Sequence, residues 1–295
     1  MDTQDDLAAV DLVSTDWLER NLGRADLAIL DATVVLDIDT WSANSGRRTY
    51  DEAHVPGAGF VDVIEELSDA AADRELPRGV RAYRLPSAEQ FAAAIGAHGV
   101  SNDTNVVAYD TTGGMWAARL WWMLRVFGHD RVAVLDGGWR AWQAEGRPTS
   151  TAAPSTAPAR FDARLRPELL ATKEQVAAAA AGDGSACLVH ALSPEMFSGA
   201  EQAALPRAGR IPTSVNVPFA TVYREDGTLR PPAELRELFA PALERDAERV
   251  VTYCGGGIAA SADALALATI GVQAAVYDGS LVEWAADESL PLEVG

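Results

Sequence analysis

Cysteine is scarce in this chain, and so is positive charge. Only Cys187 and Cys254 occur among 295 residues, which excludes a disulfide framework and a cysteine-rich metal site. The four histidines show no metal-ligand spacing, so no metal site is predicted. With 24 basic against 43 acidic residues, the net charge is −19, which argues against nucleic acid or an anionic membrane as a partner.

Long hydrophobic runs are also missing. No stretch of about 18 apolar residues is present, so no transmembrane helix is expected. The first residues are acidic and lack the basic start and apolar centre of a signal peptide. We therefore expect a cytoplasmic protein, since a reducing compartment keeps thiols free.

The chain does contain one segment with an evident chemical use. A β-branched, apolar run, Val-Val-Thr-Tyr, ends at Cys254, and three glycines and an alanine-rich helical pattern follow. The order of strand, tight loop and helix places the thiol near a helix N-terminus, beneath backbone N–H groups. Such surroundings favour the reactive thiolate and can lower a cysteine pKa from ~8.5 to roughly 3.5–7.5. The alternative is an ordinary buried cysteine beside a flexible turn.

The sequence repeats itself once. The run Val-Val-Ala-Tyr at 106–109, followed by Asp110 and two glycines, is similar to the run that ends at Cys254. Asp-Gly-Gly-Trp at 136–139 matches Asp-Gly-Ser at 278–280, and further pairs occur in the same order at drifting offsets. Two related domains are therefore predicted, at 1–145 and 168–295. The segment between them, 146–167, is rich in Pro, Ser, Thr and Ala and is predicted to be an extended linker.

Short apolar strands alternate with helical patterns in both halves. This alternation predicts two α/β domains, each a parallel sheet with helices on both faces. Active sites of such sheets lie beyond the carboxyl ends of the strands, where Cys254 is expected. The predicted strands are 27–32, 59–63, 105–110, 131–136, 187–191, 215–219, 249–254 and 274–278, and the predicted helices are 14–21, 86–98, 115–127, 139–145, 172–181, 231–243, 258–270 and 281–286.

Four features of the sequence together resemble the tandem-domain rhodaneses. They are the two repeats, the Tyr-Cys-Gly-Gly-Gly-Ile-Ala segment, the two Asp-Gly turns and Ala-His-Val-Pro-Gly-Ala at 53–58. This family includes thiosulfate and 3-mercaptopyruvate sulfurtransferases. The resemblance extends from about residue 12 to 290 and implies a catalytic second domain and a first domain without its cysteine, which agrees with Asp110.

The resemblance implies a covalent mechanism without a metal or organic cofactor. The Cys254 thiolate would take a sulfane sulfur from a small donor and pass it to cyanide or to a thiol, such as that of a thioredoxin-like protein. The amides of the loop would stabilise the thiolate and the persulfide anion, and its residues are Gly255, Gly256, Gly257, Ile258 and Ala259.

The loop departs from the patterns of both subfamilies. Gly255 and Gly256 stand where thiosulfate-specific members carry basic residues, and Gly256 replaces the serine of mercaptopyruvate members. Tyr83 aligns near the family's histidine, and Asp62 near an aspartate of the first domain. Leu192 replaces an arginine that would hold the anionic group of the donor.

Other side chains are therefore considered as substrate contacts. Arg210 and His190 are candidates, as are Tyr83 and Asp62, and Arg207, Arg47 and Arg48 lie in segments that could reach the site. A structural role is the alternative for each of them. Cys187, at the start of an apolar strand, is interpreted as a buried structural thiol.

Two other functions compete with a sulfurtransferase. A cysteine phosphatase needs an arginine six residues after the cysteine, where this chain has Ala260, so that function is not expected. A non-enzymatic persulfide carrier or a sulfur-dependent interaction module is the other alternative, because the loop lacks basic residues that would bind an anionic donor.

Overall fold

A computed structural model describes residues 7–37, 42–72 and 82–295, and the side chains of Asp37 and Ser42 lie outside the description. Its contacts divide the chain into two compact units. The first comprises the described residues up to Ser68, with Leu85–Arg166 and Arg224–Leu229. The second comprises the described residues of Asp69–Arg84, with Pro167–Tyr223 and Arg230–Gly295. Each unit thus includes a segment from the other half of the sequence.

The first unit is built on a parallel sheet of five short strands. These are β1 (Leu12–Val13), β2 (Leu27–Asp31), β5 (Gly59–Phe60), β6 (Asn105–Tyr109) and β7 (Val132–Leu135), and an antiparallel hairpin of β3 (Val34–Asp37) and β4 (Ser42–Ser45) follows β2. The order in the sheet is β1-β7-β6-β2-β5. Every residue of β6 and β7 is buried, because helices cover both faces of the sheet.

The two faces of this sheet carry different helices. The helices of the first unit are α1 (Thr15–Asn21), α2 (Arg47–Glu52), α3 (Ala88–Ala97), α4 (Met115–Val126) and α5 (Gly138–Ala144). On one face, Val107 and Tyr109 of β6 pack with Trp17, Tyr50 and Trp139 from α1, α2 and α5. Helix α4, which contacts β6 and β7, is buried along most of its length.

The second unit repeats this plan with a four-stranded parallel sheet. Its strands are β8 (Cys187–His190), β9 (Val215–Asn216), β10 (Val250–Tyr253) and β11 (Ala274–Val276), in the order β11-β10-β8-β9. Its helices are α6 (Lys173–Ala180), α7 (Pro194–Ser198), α8 (Pro232–Leu243), α9 (Ile258–Thr269) and α10 (Ser280–Ala286). The predicted fold class, two α/β domains with parallel sheets flanked by helices, is confirmed.

Every strand and helix predicted from the sequence is present. The predicted strands 59–63 and 215–219 extend three residues beyond Phe60 and Asn216, where pairing ends. No sequence pattern predicts β1, the β3–β4 hairpin, α2 or α7, because these elements are short or polar and carry little periodicity. Residues 151–166 contain no helix or strand, as their composition predicts.

In the described ranges, no helix is both long enough and apolar enough to cross a membrane.

Candidate active site

The central strand of the second sheet, β10, places Cys254 at its carboxyl end. This strand lies between β8 and β11, and all four of its residues are buried. The chain then turns through the glycines, and α9 begins at Ile258 after Gly257, whose φ of +81° belongs to the left-handed region that favours glycine. The Thr252 hydroxyl donates to the Ala260 carbonyl at 2.9 Å and ties the strand to the first turn of α9.

Backbone N–H groups of the loop and the first turn of α9 surround the Cys254 sulfur. The donors that hydrogen-bond to it belong to Gly256, Gly257, Ala259 and Ala260. The side chain is buried, with 2% of the residue exposed. Burial raises the pKa of Cys254, and the four N–H groups oppose this rise without cancelling it.

The expectation of a lowered cysteine pKa is therefore wrong for the resting protein. The sequence showed the helix N-terminus but not the depth of burial, and desolvation penalises the thiolate more than the four donors stabilise it. Of the five loop residues expected to donate, three are among the donors, and Ala260 was not expected.

Ser280 fixes the backbone of Cys254. Its hydroxyl accepts the Cys254 N–H at 3.1 Å and donates to the Tyr277 carbonyl at 2.7 Å. Ser280 is fully buried and has a φ of +47°, a region that serine rarely adopts. In the sequence, the Asp-Gly-Ser turn is evident only as part of the repeat, which does not predict that Ser280 contacts Cys254. A serine at a turn position where the other repeat has Gly138 was the available signal.

The first unit contains an equivalent set of four backbone N–H groups around a different side chain, and we call such a set an amide cradle. The Asp110 carboxylate follows β6 as Cys254 follows β10, and one of its oxygens accepts the N–H groups of Thr112 and Gly114 at 2.8 and 2.9 Å. The other oxygen accepts those of Trp116 and Ala117 at 3.0 and 2.8 Å. Four amides of a strand–loop–helix turn therefore bind one negative charge shared by two atoms.

Two uncharged side chains border the glycines of the Cys254 loop. A Cβ added at Gly255 would lie 4.0 Å from Cδ1 of Leu192. A Cβ added at Gly256 would lie 3.2 Å from the Ala82 carbonyl oxygen and 3.6 Å from Cδ2 of Tyr83. The structure thus brings Tyr83, a residue predicted as a possible substrate contact, to the loop.

Tyr83 is held in a strained conformation. Its φ is +49°, which costs a non-glycine residue about 1–2 kcal/mol. The next residue, Arg84, forms an ion pair with Glu283 at 2.7 Å, and its carbonyl accepts the Asp69 N–H at 2.9 Å. These contacts hold the segment in place, and strain of this kind is concentrated at functional sites.

His190 is buried and neutral. Burial lowers the pKa of His190 to about 4, and Nδ1 accepts the Leu192 N–H at 3.3 Å. Its ring meets that of Tyr253 edge-on, with centroids 5.1 Å apart. The Tyr253 hydroxyl accepts the Ile211 N–H at 3.1 Å, so Tyr253 packs inside the unit. At neutral pH, His190 cannot supply a positive charge to a donor.

The arginines of the second unit that were considered as anion ligands are engaged elsewhere. Arg207 donates to backbone carbonyls at Trp284, Ala285, Asp287 and Leu290. Arg210 donates to the Gly295 carbonyl at 2.7 Å, pairs with Glu293 at 3.3 Å and lies over the Phe197 ring. These contacts support a structural role for both arginines.

The remaining candidates have partners within their own units. Asp62 belongs to the first unit, where its carboxylate accepts the N–H groups of Ile64 and Glu65 at 3.1 Å each. Arg47, also in the first unit, lies over the Phe60 ring at 4.5 Å. The exposed Arg48 is 3.9 Å from Glu52.

Cys187 lies at the opposite end of the second sheet from Cys254. It starts β8 and is paired with Val250, the first residue of β10, whereas Cys254 follows the last. Four residues of strand separate the two thiols by roughly 13 Å, so Cys187 is a buried structural thiol and not a resolving partner.

In the part of the chain that the structure describes, no group of three or more His, Cys, Asp or Glu side chains could hold a metal ion.

Comparisons with known proteins agree with this geometry. The sequence model of the rhodanese-like domain matches residues 14–145 and 172–287. The chain is 38% identical to thiosulfate sulfurtransferase of Cricetulus griseus over 292 residues, which cover 92% of this chain and 91% of that protein. It is 35% identical to human 3-mercaptopyruvate sulfurtransferase over 284 residues, with the same coverage.

A solved structure has the same architecture. The crystal structure of SseA from Escherichia coli, a 3-mercaptopyruvate sulfotransferase, superposes with a TM-score of 0.78 at 29% identity, over 91% of this chain and 98% of that one. Yeast Tum1 superposes with a TM-score of 0.79 at 20% identity, which shows a shared fold.

Proposed function

This chain belongs to the rhodanese family and is a sulfurtransferase, and on that basis we propose that Cys254 is the nucleophile that carries the transferred sulfur. The observation that carries this assignment is the set of four backbone N–H groups around the Cys254 sulfur. The equivalent four N–H groups of the first unit bind the Asp110 carboxylate, so this kind of turn can hold one negative charge on one or two atoms. A persulfide, whose charge is shared by two sulfurs, has this form.

The donor half-reaction forms one S–S bond and breaks the bond that holds the transferred sulfur in the donor, which is S–S in thiosulfate and C–S in 3-mercaptopyruvate, whose pyruvate leaves as the enolate. The Cys254 thiol loses its proton to water, and the thiolate attacks the outer sulfur of the donor. With thiosulfate, sulfite leaves with the electron pair of the broken bond, and Cys254 becomes the persulfide Cys254-S-S⁻. The loop amides are fixed before the reaction, so they stabilise the developing anion without reorganisation.

Ser280 positions the nucleophile without touching the transferred sulfur. By accepting the Cys254 N–H and donating to the Tyr277 carbonyl, its hydroxyl fixes the backbone from which the thiol extends. The sulfur therefore stays within reach of the four donors while its charge changes.

A thiophilic acceptor completes the cycle. Cyanide or a thiol attacks the outer sulfur of the persulfide and regenerates the Cys254 thiolate, which gives ping-pong kinetics. A thioredoxin-like protein thiol is a suitable acceptor class because a thiolate is the nucleophile in such exchange. We place the reaction in the cytoplasm, where a reducing environment keeps Cys187 and Cys254 free.

Intact mass spectrometry tests the assignment to Cys254. After incubation with thiosulfate or 3-mercaptopyruvate, the protein is expected to gain one sulfur, and cyanide is expected to remove it. Cys254→Ser is expected to gain none, while Cys187→Ser loads like the wild type. Loading of Cys254→Ser to the wild-type extent would show that another group carries the sulfur.

A further inference from the structure

The surroundings of the Cys254 loop limit the charge of the donor. We propose that, within the sulfurtransferase activity assigned above, the site favours sulfane donors of low charge with an apolar or aromatic group over the thiosulfate dianion. This inference rests on the proposed function, since it concerns the donor that loads Cys254.

The amide cradle has room for one negative charge. In the first unit, all four N–H groups are used by the two oxygens of the single Asp110 carboxylate. In the second unit, four equivalent donors converge on the Cys254 sulfur. The charge of the thiolate and then of the persulfide therefore uses this set, and the remaining oxygens of a donor need other partners.

The side chains beside the loop glycines are not suited to such oxygens. Leu192 borders Gly255, and the ring of Tyr83 lies against Gly256. Both are partly exposed, so they can contact a bound donor. The isobutyl group of Leu192 and the ring of Tyr83 bind apolar or aromatic groups through burial and ring contact. A sulfonate oxygen placed beside them would lose water and gain no cation in exchange, which is unfavourable.

The cation nearest to Tyr83 in the sequence does not alter this balance. The Arg84 guanidinium is paired with the Glu283 carboxylate at 2.7 Å, and Asp278 adds a further negative charge close to it. Arg207 and Arg210 are bound to backbone carbonyls or to Glu293. Among the described residues of the second unit, these arginines are therefore already paired and do not favour a dianion at the loop.

A pair of donors isolates the effect of charge. Benzenethiosulfonate, a monoanion, differs from thiosulfate, a dianion, by a phenyl group in place of one anionic oxygen. In both reactions the Cys254 thiolate attacks the outer sulfur and forms Cys254-S-S⁻. The donor's S–S bond breaks, and benzenesulfinate or sulfite leaves with the electron pair, so atoms and charge balance.

The measurement is kcat/KM for each donor with cyanide as the common acceptor, since in a ping-pong reaction this ratio reports the donor half-reaction alone. To remove the difference in intrinsic reactivity, the ratio of the two kcat/KM values is divided by the ratio of the rates at which the two donors react with a small thiol in solution. The corrected preference of the wild type for benzenethiosulfonate is expected to be about tenfold or more, which corresponds to one missing charged hydrogen bond.

Variants at Leu192 and Tyr83 test the cause. Leu192→Arg is expected to raise kcat/KM for thiosulfate about tenfold, whereas Leu192→Gln, which is polar but uncharged, is expected to have a clearly smaller effect. Tyr83→Leu is expected to lower kcat/KM for benzenethiosulfonate by a larger factor than kcat/KM for thiosulfate.

The outcomes separate this inference from the assignment on which it rests. A corrected ratio near one, or a preference for thiosulfate, overturns the inference while Cys254 still loads, and the wild-type protein alone decides this. Equal effects of Leu192→Arg and Leu192→Gln would also overturn it, because charge would then not be the cause. Failure of both donors to load Cys254 would overturn the proposed function itself.

Discussion

At the scale of the residue, Asp263 is a buried carboxyl group of the second unit that the proposed reaction does not use. It lies within α9, is fully buried, and neither carboxyl oxygen has a hydrogen-bond partner among the described residues. Burial raises the pKa of Asp263 well above its ordinary value. The group is therefore neutral in the folded protein at a pH at which the unfolded chain carries it as an anion.

This residue is expected to make stability fall as the pH rises. An acid with a raised folded pKa binds its proton more tightly in the native state, so its stabilising effect is present below the unfolded pKa of about 3.9 and is lost between there and the folded pKa. The loss is about 1.4 kcal/mol for each pH unit in that window. Asp263→Asn is expected to be more stable than the wild type at pH 8, with a difference that shrinks towards pH 4.

Urea denaturation of both proteins between pH 4 and 8 measures the difference. Asp103→Asn, which changes an exposed turn residue, is the matched control and is expected to follow the wild type. A stability difference between Asp263→Asn and the wild type that does not vary with pH would show that Asp263 is ionised in the folded protein.

At the scale of the element, one turn serves two chemical purposes. A strand, a glycine-containing loop and a helix N-terminus form an amide cradle after β6 and again after β10. Gly114 and Gly257, with φ of +88° and +81°, stand at the N-cap of α4 and of α9. What differs is the side chain at the strand end, a carboxylate in one unit and a thiol in the other. The element presents the same kind of backbone N–H donors to both side chains.

Asp110→Asn tests the structural use of this element. The amide side chain would direct its NH₂ group at two of the four N–H donors, so two charged hydrogen bonds are lost. We expect the free energy of unfolding to fall by about 2–4 kcal/mol, measured by urea denaturation of the full chain. Thr112→Val is the control in the same loop, because the Thr112 hydroxyl has no hydrogen-bond partner among the described residues, and it is expected to be nearly neutral. Equal stability of Asp110→Asn and the wild type would contradict this role.

A strand or helix of this kind is predictable when its residue propensities and hydrophobic periodicity match the way it packs in the fold. β10 is predictable because a β-branched run ends in glycines, and α9 because alanine and leucine continue to Ile270 before Gly271. The β3–β4 hairpin is not, since Ser-Ala-Asn-Ser carries no strand periodicity. Pairing along four residues, and not propensity, makes it a strand.

At the scale of the whole molecule, the net charge of −19 acts on every charged substrate. A strongly negative protein repels a dianion over distances comparable to the Debye length, which is about 10 Å at 0.1 M salt. Added salt screens this repulsion. We therefore expect kcat/KM for thiosulfate to rise several-fold between low salt and 0.3 M NaCl.

The acceptor half-reaction provides the control for this effect. 2-Mercaptoethanol reacts as its thiolate, a monoanion, so the rate at which it discharges the persulfide is expected to rise less with salt than the thiosulfate rate. Both rates are measured by stopped-flow in the same buffers. A fall in the thiosulfate rate with salt would mean that local positive charge outweighs the net charge of the protein.

Local sequence patterns were sufficient to predict the fold class, the repeat and the position of Cys254 at the end of a strand. These depend on local patterns: buried strands read as apolar runs, and a cysteine between a strand and a glycine loop can only stand at a strand end. Tertiary structure decided the rest, because burial and contacts between distant segments have no local pattern. It placed Ser280 under Cys254, Tyr83 and Leu192 beside the glycines, and the sulfur deep enough for desolvation to raise its pKa.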